Sequence, residues 1–154
     1  MDAIQFLKHQ HQEAKAAFGK LFDAAPARRG PIWKKLEPEL KQHEQIEEIC
    51  LYRPIAREGG AADAQLSGWV AEGHPEEVHE MEGLLQEAKG LDPEDERWLA
   101  AILQIRAALE KHIGEEEQDI FPRVARIWDG ARLRRAGHEM SEMKEKKAAK
   151  AGRR

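Results

Sequence analysis

Apolar residues recur at alternating steps of three and four along most of the chain, the spacing of a helix with one buried face. Strict alternation of apolar and polar residues, which indicates a half-buried strand, is nearly absent. Four long helical patterns joined by short turns are followed by a weaker, strongly charged fifth one. The sequence therefore predicts an all-α protein, an up-down-up-down four-helix bundle with an additional C-terminal helix.

Proline, glycine and acidic capping residues set the predicted helix ends. The turn AAPARRGP follows the first helix, Glu58-Gly59-Gly60 closes the second, and Pro75 predicts a start, kink or irregularity in the third. The predicted ranges are about 2–23, from about 31 to 58, 62–89, from 92 into the 120s, and 131–149. These ranges predict a bundle over residues 1–128 and a C-terminal helix with a basic tail over residues 129–154, packed on the bundle or trailing from it.

Composition narrows the function classes. The 154 residues carry a net charge of −4, with 25 basic and 29 acidic residues interspersed, so no general attraction to nucleic acid or anionic lipid is expected. The single Cys50 excludes an intrachain disulfide, and no apolar run approaches the roughly 18 residues of a membrane span. The N-terminus lacks the pattern of a secretory signal. We expect a cytoplasmic protein, monomeric or homodimeric, without a membrane or nucleic-acid partner.

Two segments repeat one arrangement, HEQIEEICLYRP from His43 and HIGEEEQDIFPR from His112: a histidine, a glutamate four residues on, an aromatic residue, then proline. Residues four apart lie on the same helix face, so His43 with Glu47 and His112 with Glu116 form two pairs. His11 lies at mid-length in the first helix's apolar face. Burying each such group without a partner costs on the order of 1–3 kcal/mol, so the five together predict a metal site.

Nitrogen and oxygen ligands without thiolates suit iron, manganese or zinc. Two glutamates in bridging positions suggest two metal ions rather than one. Redox-active iron is the first choice, and zinc and manganese are the alternatives.

In the third predicted helix, two histidines are candidate metal ligands. At 100° per residue His74 lies within the apolar face and His79 points nearly opposite. Against this, Pro75 can shift the register, and Glu76 with His79 makes the E-x-x-H spacing of ferritin-like di-metal proteins, although only one copy is present. We therefore predict the ligand set with His79 as the minor alternative to His74: His11, His43, Glu47, His74, His112 and Glu116.

The remaining candidates receive structural interpretations. His9 and His138 are expected to face solvent, and Cys50 to be a small buried hydrophobe. Tyr52 reaches the metals only if its helix bends at Pro54. Most of the acidic residues flanking the repeats are expected to be solvated charges, namely Glu44, Glu48, Glu115 and Glu117.

Three segments in order and spacing, FLKHQHQEAKAAF, ELKQHEQIEEICLYRP and LDPEDERWLAAILQIRAALEKHIGEEEQDIFPRV, resemble hemerythrin-like proteins of the HHE cation-binding class. The resemblance implies a non-heme di-iron centre inside the bundle, bridged by two carboxylates and an oxygen species. It also implies two third-helix histidines one turn apart in the oxygen carriers; here His74 is kept and Val78 stands at the second place. Glu116 likewise replaces an aspartate five residues after the histidine.

The sequence is compatible with three functions. The first is a di-iron protein that binds dioxygen or a related small oxidant for sensing, scavenging or storage. The second is a di-iron enzyme that turns over hydrogen peroxide or nitric oxide, favoured by the incomplete third-helix ligand set. The third is a metal-free structural or interaction bundle, which the cost of five buried polar groups makes the weakest.

Overall fold

The computed structural model describes residues 1–58 and 62–152, and this part of the chain is helical without a strand. The predicted all-α bundle with an additional C-terminal helix is confirmed. The α-helices are α1 Ala3–Asp23, α2 Pro26–Glu47, α3 Arg53–Arg57, α4 Ala64–Gly68, α5 His74–Lys89, α6 Glu96–Glu115, α7 Phe121–Ile127 and α8 Gly130–Gly152.

Three π-helical turns interrupt the bundle helices. They join α2 to α3, α4 to α5 and α6 to α7, at Glu48–Tyr52, Trp69–Gly73 and Glu116–Ile120. A proline lies two residues after each turn: Pro54, Pro75 and Pro122. Proline has no N–H and clashes with the carbonyl four residues back, so the helix ladder is disturbed where the turns lie. The irregularity predicted at Pro75 is present as one of them.

Two predicted helix ends are wrong. α2 begins at Pro26 rather than near Pro31, so most of the predicted turn AAPARRGP is helical. Gly30 does not end a helix there: a Cβ atom on it would lie 3.2 Å from Pro93 Cβ, so the missing side chain lets the two segments pack closely. α6 begins at Glu96, where the Asp95 carboxylate accepts the Arg97 backbone N–H, several residues after the predicted start. Gly59 and Gly60 lie outside the described residues.

Two apolar clusters fill the bundle, one on each side of a polar layer at its middle. Along α1, Leu7 belongs to the first cluster and Phe18 to the second, and His11 lies between them. α6 and the π turn after it repeat the order with Ile113 and Ile120 on either side of Glu116. The apolar stripes of the helices thus hold a ring of polar side chains at one level of the bundle.

α8 packs against α1 through its first half. Its Leu133, Ala136 and Met140 are buried in the cluster that contains Leu7. A Cβ atom on Gly137 would lie 2.4 Å from the Met1 carbonyl oxygen, so only glycine permits this approach. None of the helices in residues 1–58 and 62–152 has the length and apolar character needed to cross a membrane.

Candidate metal centre

All six residues of the predicted ligand set are buried in the polar layer. Each is 0 to 8 % exposed, and together they are the buried histidine and carboxylate side chains of the described part of the chain: His11, His43, Glu47, His74, His112 and Glu116. The helical wheel thus placed them on the right faces. The structure adds which of them meet.

Four side chains form the first group: His11, His43, Glu47 and Glu116. Each offers one ligand atom, and these atoms all lie within 4.8 Å of one another. His43 Nε2 is 2.9 Å from Glu47 Oε1, and His11 Nε2 is 3.3 Å from Glu116 Oε1. Two nitrogens and two oxygens from three helical segments therefore surround one point.

The second group consists of Glu44, Glu47, His74 and His112, again within 4.8 Å of one another. His74 Nε2 is 2.6 Å from Glu44 Oε1, and His112 Nε2 is 3.3 Å from Glu47 Oε1. Glu47 belongs to both groups, and Glu116 Oε1 lies 3.0 Å from His112 Nε2. Two candidate cation positions consequently share a carboxylate.

Glu44 corrects one sequence interpretation. Its carboxylate was expected to be a solvated charge, yet its Oε1 atom is buried beside His74. Val78, at the place where the resemblance implies a further histidine, lies in α5 one turn after His74 and is partly buried. A carboxylate from α2 therefore lies beside His74, the buried histidine of α5.

Side chains outside the two groups accept hydrogen bonds from three of the histidines. Their Nδ1–H groups donate to oxygens of neighbouring helices: His11 to Glu117 Oε2 at 2.7 Å, His43 to Gln10 Oε1 at 2.6 Å and His112 to Glu77 Oε1 at 2.9 Å. Such bonds fix the tautomer and turn Nε2 inwards, as in metal sites whose ligand histidines have an outer carboxylate or amide partner. Glu117, expected to be solvated, is one of these partners.

Tyr52 is a neighbour of the centre that sequence reasoning discounted. It is buried, its hydroxyl donates to Glu116 Oε2 at 2.5 Å, and its ring centroid is 4.4 Å from that of His74. On a regular helix Tyr52 would lie about 180° from His43, nine residues earlier. The extra residue of the π turn Glu48–Tyr52 removes about 100° of that difference and brings the phenol to the centre.

Without a cation the charges of the centre are unevenly distributed. Burial and then the negative charge of Glu116 raise the pKa of Glu47 well above its usual value. Burial opposes the ionised form of Glu116, but the charge of His112, followed by the close approach of Glu47, His11 and His112, holds its pKa well below the usual value. Burial likewise opposes protonation of His112, but Glu116, Glu47 and Glu77 raise its pKa well above 6.5. Both shifts favour the protonated forms of Glu47 and His112, and a cation would displace those protons.

Several buried polar atoms of the centre have no hydrogen-bond partner. They are His11 Nε2, His43 Nε2, Glu44 Oε1, Glu47 Oε2, Glu116 Oε1 and both ring nitrogens of His74. Leaving such an atom unpaired costs about 1–3 kcal/mol, which a bound cation would recover. The converging nitrogen and oxygen donors therefore fit iron, manganese or zinc.

Other candidate residues lie away from the centre. His9 and His138 are exposed, as expected, and each contacts a glutamate one turn on in its own helix. His79 is also exposed, so the alternative third-helix ligand is not brought to the centre. Cys50 is buried, with its Sγ atom 3.3 Å from Met143 Sδ, and burial raises its pKa to about 11.

Comparison with known proteins places these observations in a family. The sequence model described as the Hemerythrin HHE cation binding domain matches residues 2–124. The match spans all six predicted ligands, Glu44 and Tyr52, and it stops before α8. No curated protein and no solved structure matches the chain.

Proposed function

Because the chain belongs to the hemerythrin HHE cation-binding family, we propose that it is a non-heme di-iron protein that binds dioxygen or a related small oxidant. The observation that carries the proposal is Glu47, the carboxylate common to two four-residue groups. A carboxylate shared between two cation positions is what a two-metal site requires. His11, His43 and Glu116 would complete the first position.

Glu44, His74 and His112 would complete the second position. Iron is favoured over zinc and manganese because the donor set suits all three and the family resemblance implies iron. A bound pair of ferrous ions would supply electrons and a free coordination position to a small oxidant. The chain's own part is to hold the ligands, to orient three imidazoles through Gln10, Glu77 and Glu117, and to keep the centre out of water.

A small cavity supports the choice of a small ligand. It measures about 50 Å³ and borders on His43, Glu44 and His112, while Val78 and Leu109 are among its apolar lining. A cavity needs roughly 10–15 Å³ to admit one water molecule, so this one has room for a molecule of two or three atoms. Its lining combines apolar side chains with histidines and carboxylates of the second position.

Iron analysis tests the proposal. After anaerobic reconstitution with ferrous iron and removal of excess metal, we expect two irons per chain in the wild type. Glu44→Ala removes a ligand from the second group alone and should leave about one. Exposure to dioxygen should then change the near-ultraviolet absorption of the wild type.

A matched control is Glu39→Gln, an exposed position on the same helix. It should bind as much iron as the wild type. Less than one iron per wild-type chain would contradict the proposal, and two irons in Glu44→Ala would remove Glu44 from the ligand set. The cytoplasmic location, the absence of a nucleic-acid partner and the oligomeric state stay predictions.

A further inference from the structure

A groove between α2 and α5 leads from the surface to the second candidate cation position. It encloses about 770 Å³, and His74 and Glu44 lie along its wall together with Glu48, Glu82 and the exposed His79. His74 is 1 % exposed, and neither ring nitrogen has a hydrogen-bond partner although the ring borders the groove. A buried imidazole whose near contacts are the carboxylates of Glu44 and Glu48 therefore borders a cavity that opens to solvent.

Two carboxylates lie between the groove surface and this imidazole. The Glu48 side chain is 41 % exposed, that of Glu44 is 30 % exposed and that of His74 is 1 % exposed. Glu48 Oε2 is 3.9 Å from His74 Nδ1, and Glu44 Oε1 is 2.6 Å from His74 Nε2. The two carboxylates, one helical turn apart, form consecutive steps from water to the buried ring.

Basic side chains in the groove determine whether these carboxylates are already paired. Lys41 lies 2.9 Å from Glu37, which is outside the groove lining. Arg53 Nε donates to Glu48 Oε1 at 3.1 Å and is largely exposed. Arg53 thus competes for Glu48 with any arriving cation, whereas the Glu44 carboxylate has its contact with His74 alone among the ion pairs of the described residues.

A second cavity, of about 360 Å³, reaches His11 and His43 from the side of α8. Lys144 and Lys147 balance its two acidic residues, and Lys144 Nζ lies 3.7 Å from Glu13 Oε1. A divalent cation meets two lysines on this path, which opposes its approach. The groove between α2 and α5 is the more favourable path.

We propose that the groove is the route by which a divalent cation reaches the centre, and that Glu48 is its first ligand. Glu48 holds the cation at the surface, and Glu44 and His74 receive it. The inference rests on the proposed function, because the cation's destination is the centre described above. It assigns to Glu48 a role in the rate of loading rather than in the final ligand set.

Loading kinetics test this role without any assay of oxidant chemistry. Metal-free protein is mixed with excess Co²⁺, and the visible absorption of the bound ion is followed with time. Glu48→Gln should load about fivefold more slowly than the wild type, since one unit charge at contact distance is lost. The final Co²⁺ content should be the same. Arg53→Gln should load faster than the wild type because it frees Glu48.

The matched control is Glu39→Gln, which removes one negative charge from α2 at the other cavity. It should load at the wild-type rate. Equal rates in Glu48→Gln and the wild type would overturn the proposal, and so would slower loading in Glu39→Gln alone, which would identify the other path. A lower final Co²⁺ content in Glu48→Gln would also overturn it. If the wild type itself binds no metal, the proposed function fails.

Discussion

At the scale of single residues, the centre depends on side chains that satisfy one another in pairs across helices. The inward histidines alone do not define it, because Gln10, Glu77 and Glu117 hold the Nδ1 atoms of three of them and set the direction of the corresponding Nε2 atoms. Tyr52 likewise orients a carboxylate through a hydrogen bond. Its hydroxyl is the donor to Glu116 Oε2, while Glu116 Oε1 stays free to face His11 and His112.

Tyr52→Phe tests this pairing. The change leaves the ring and its contact with His74 but removes the donor to a buried carboxylate oxygen. The free energy of unfolding of the metal-free protein should fall by about 1–3 kcal/mol, measured by urea denaturation. In the metal-loaded protein the loss should be smaller, because a cation stabilises the ionised Glu116. Equal stability of the two metal-free proteins would contradict the pairing.

At the scale of helical elements, the π turns keep the two halves of a helix facing the same core. His112 and Val124 are both buried, yet twelve residues of regular helix would place them about 120° apart. One extra residue in the turn Glu116–Ile120 reduces the difference to about 20°. Glu116 is the first residue of this turn, so the widened backbone sets the position of its carboxylate.

Deleting Gln118 tests the role of that turn. Gln118 is exposed and lies within it, so the deletion restores a regular helix while His112 and Val124 keep nearly the same face. We expect the helical content, measured by circular dichroism, to persist. The iron bound per chain should decrease, because the backbone that positions Glu116 is changed. Gln118→Ala alters the side chain without the register and should bind iron as the wild type does; a deletion variant with full iron content would contradict this role.

At the scale of the whole molecule, a polar layer between two apolar clusters is a stability cost that a cation offsets. The raised pKa of His112 means that its protonated form stabilises the metal-free fold below about pH 6.5, and this contribution is lost as pH rises through the folded pKa. The raised pKa of Glu47 acts in the same direction. Above about pH 4.5 this carboxyl ionises in the unfolded chain, whereas folding disfavours its ionisation, so the stability of the fold decreases as pH rises. Glu116, whose pKa is lowered, is ionised in both states at neutral pH.

The stabilisation by metal should therefore grow with pH. Between about pH 6 and pH 8 the Tm of the metal-free protein should fall, whereas cations bind the deprotonated ligands more tightly as pH rises. The Tm difference between the metal-loaded and chelator-treated protein, measured by calorimetry at each pH, should increase over this range. A difference that is constant or that shrinks with pH would contradict the proton positions assigned to His112 and Glu47.

The sequence by itself determined the helices and the inward faces of the six buried residues. Helical periodicity is local: the steps of three and four residues that bury Leu7 and Phe18 also fix the direction of His11 between them. The same counting selected His74 over His79. Proline at position 75 correctly indicated an irregularity, although its nature as a π turn depends on the backbone hydrogen bonds.

The tertiary structure alone decided what each inward side chain meets. The position of Glu44 beside His74, the outer partners of the histidines and the start of α2 against Pro93 follow from how helices are rotated and offset against one another. Local spacing does not encode that offset. Tyr52 reaches Glu116 because an inserted π-turn residue changes the register. The sequence therefore predicted six buried residues of the centre, and packing between helices added Glu44 and produced two groups that share Glu47.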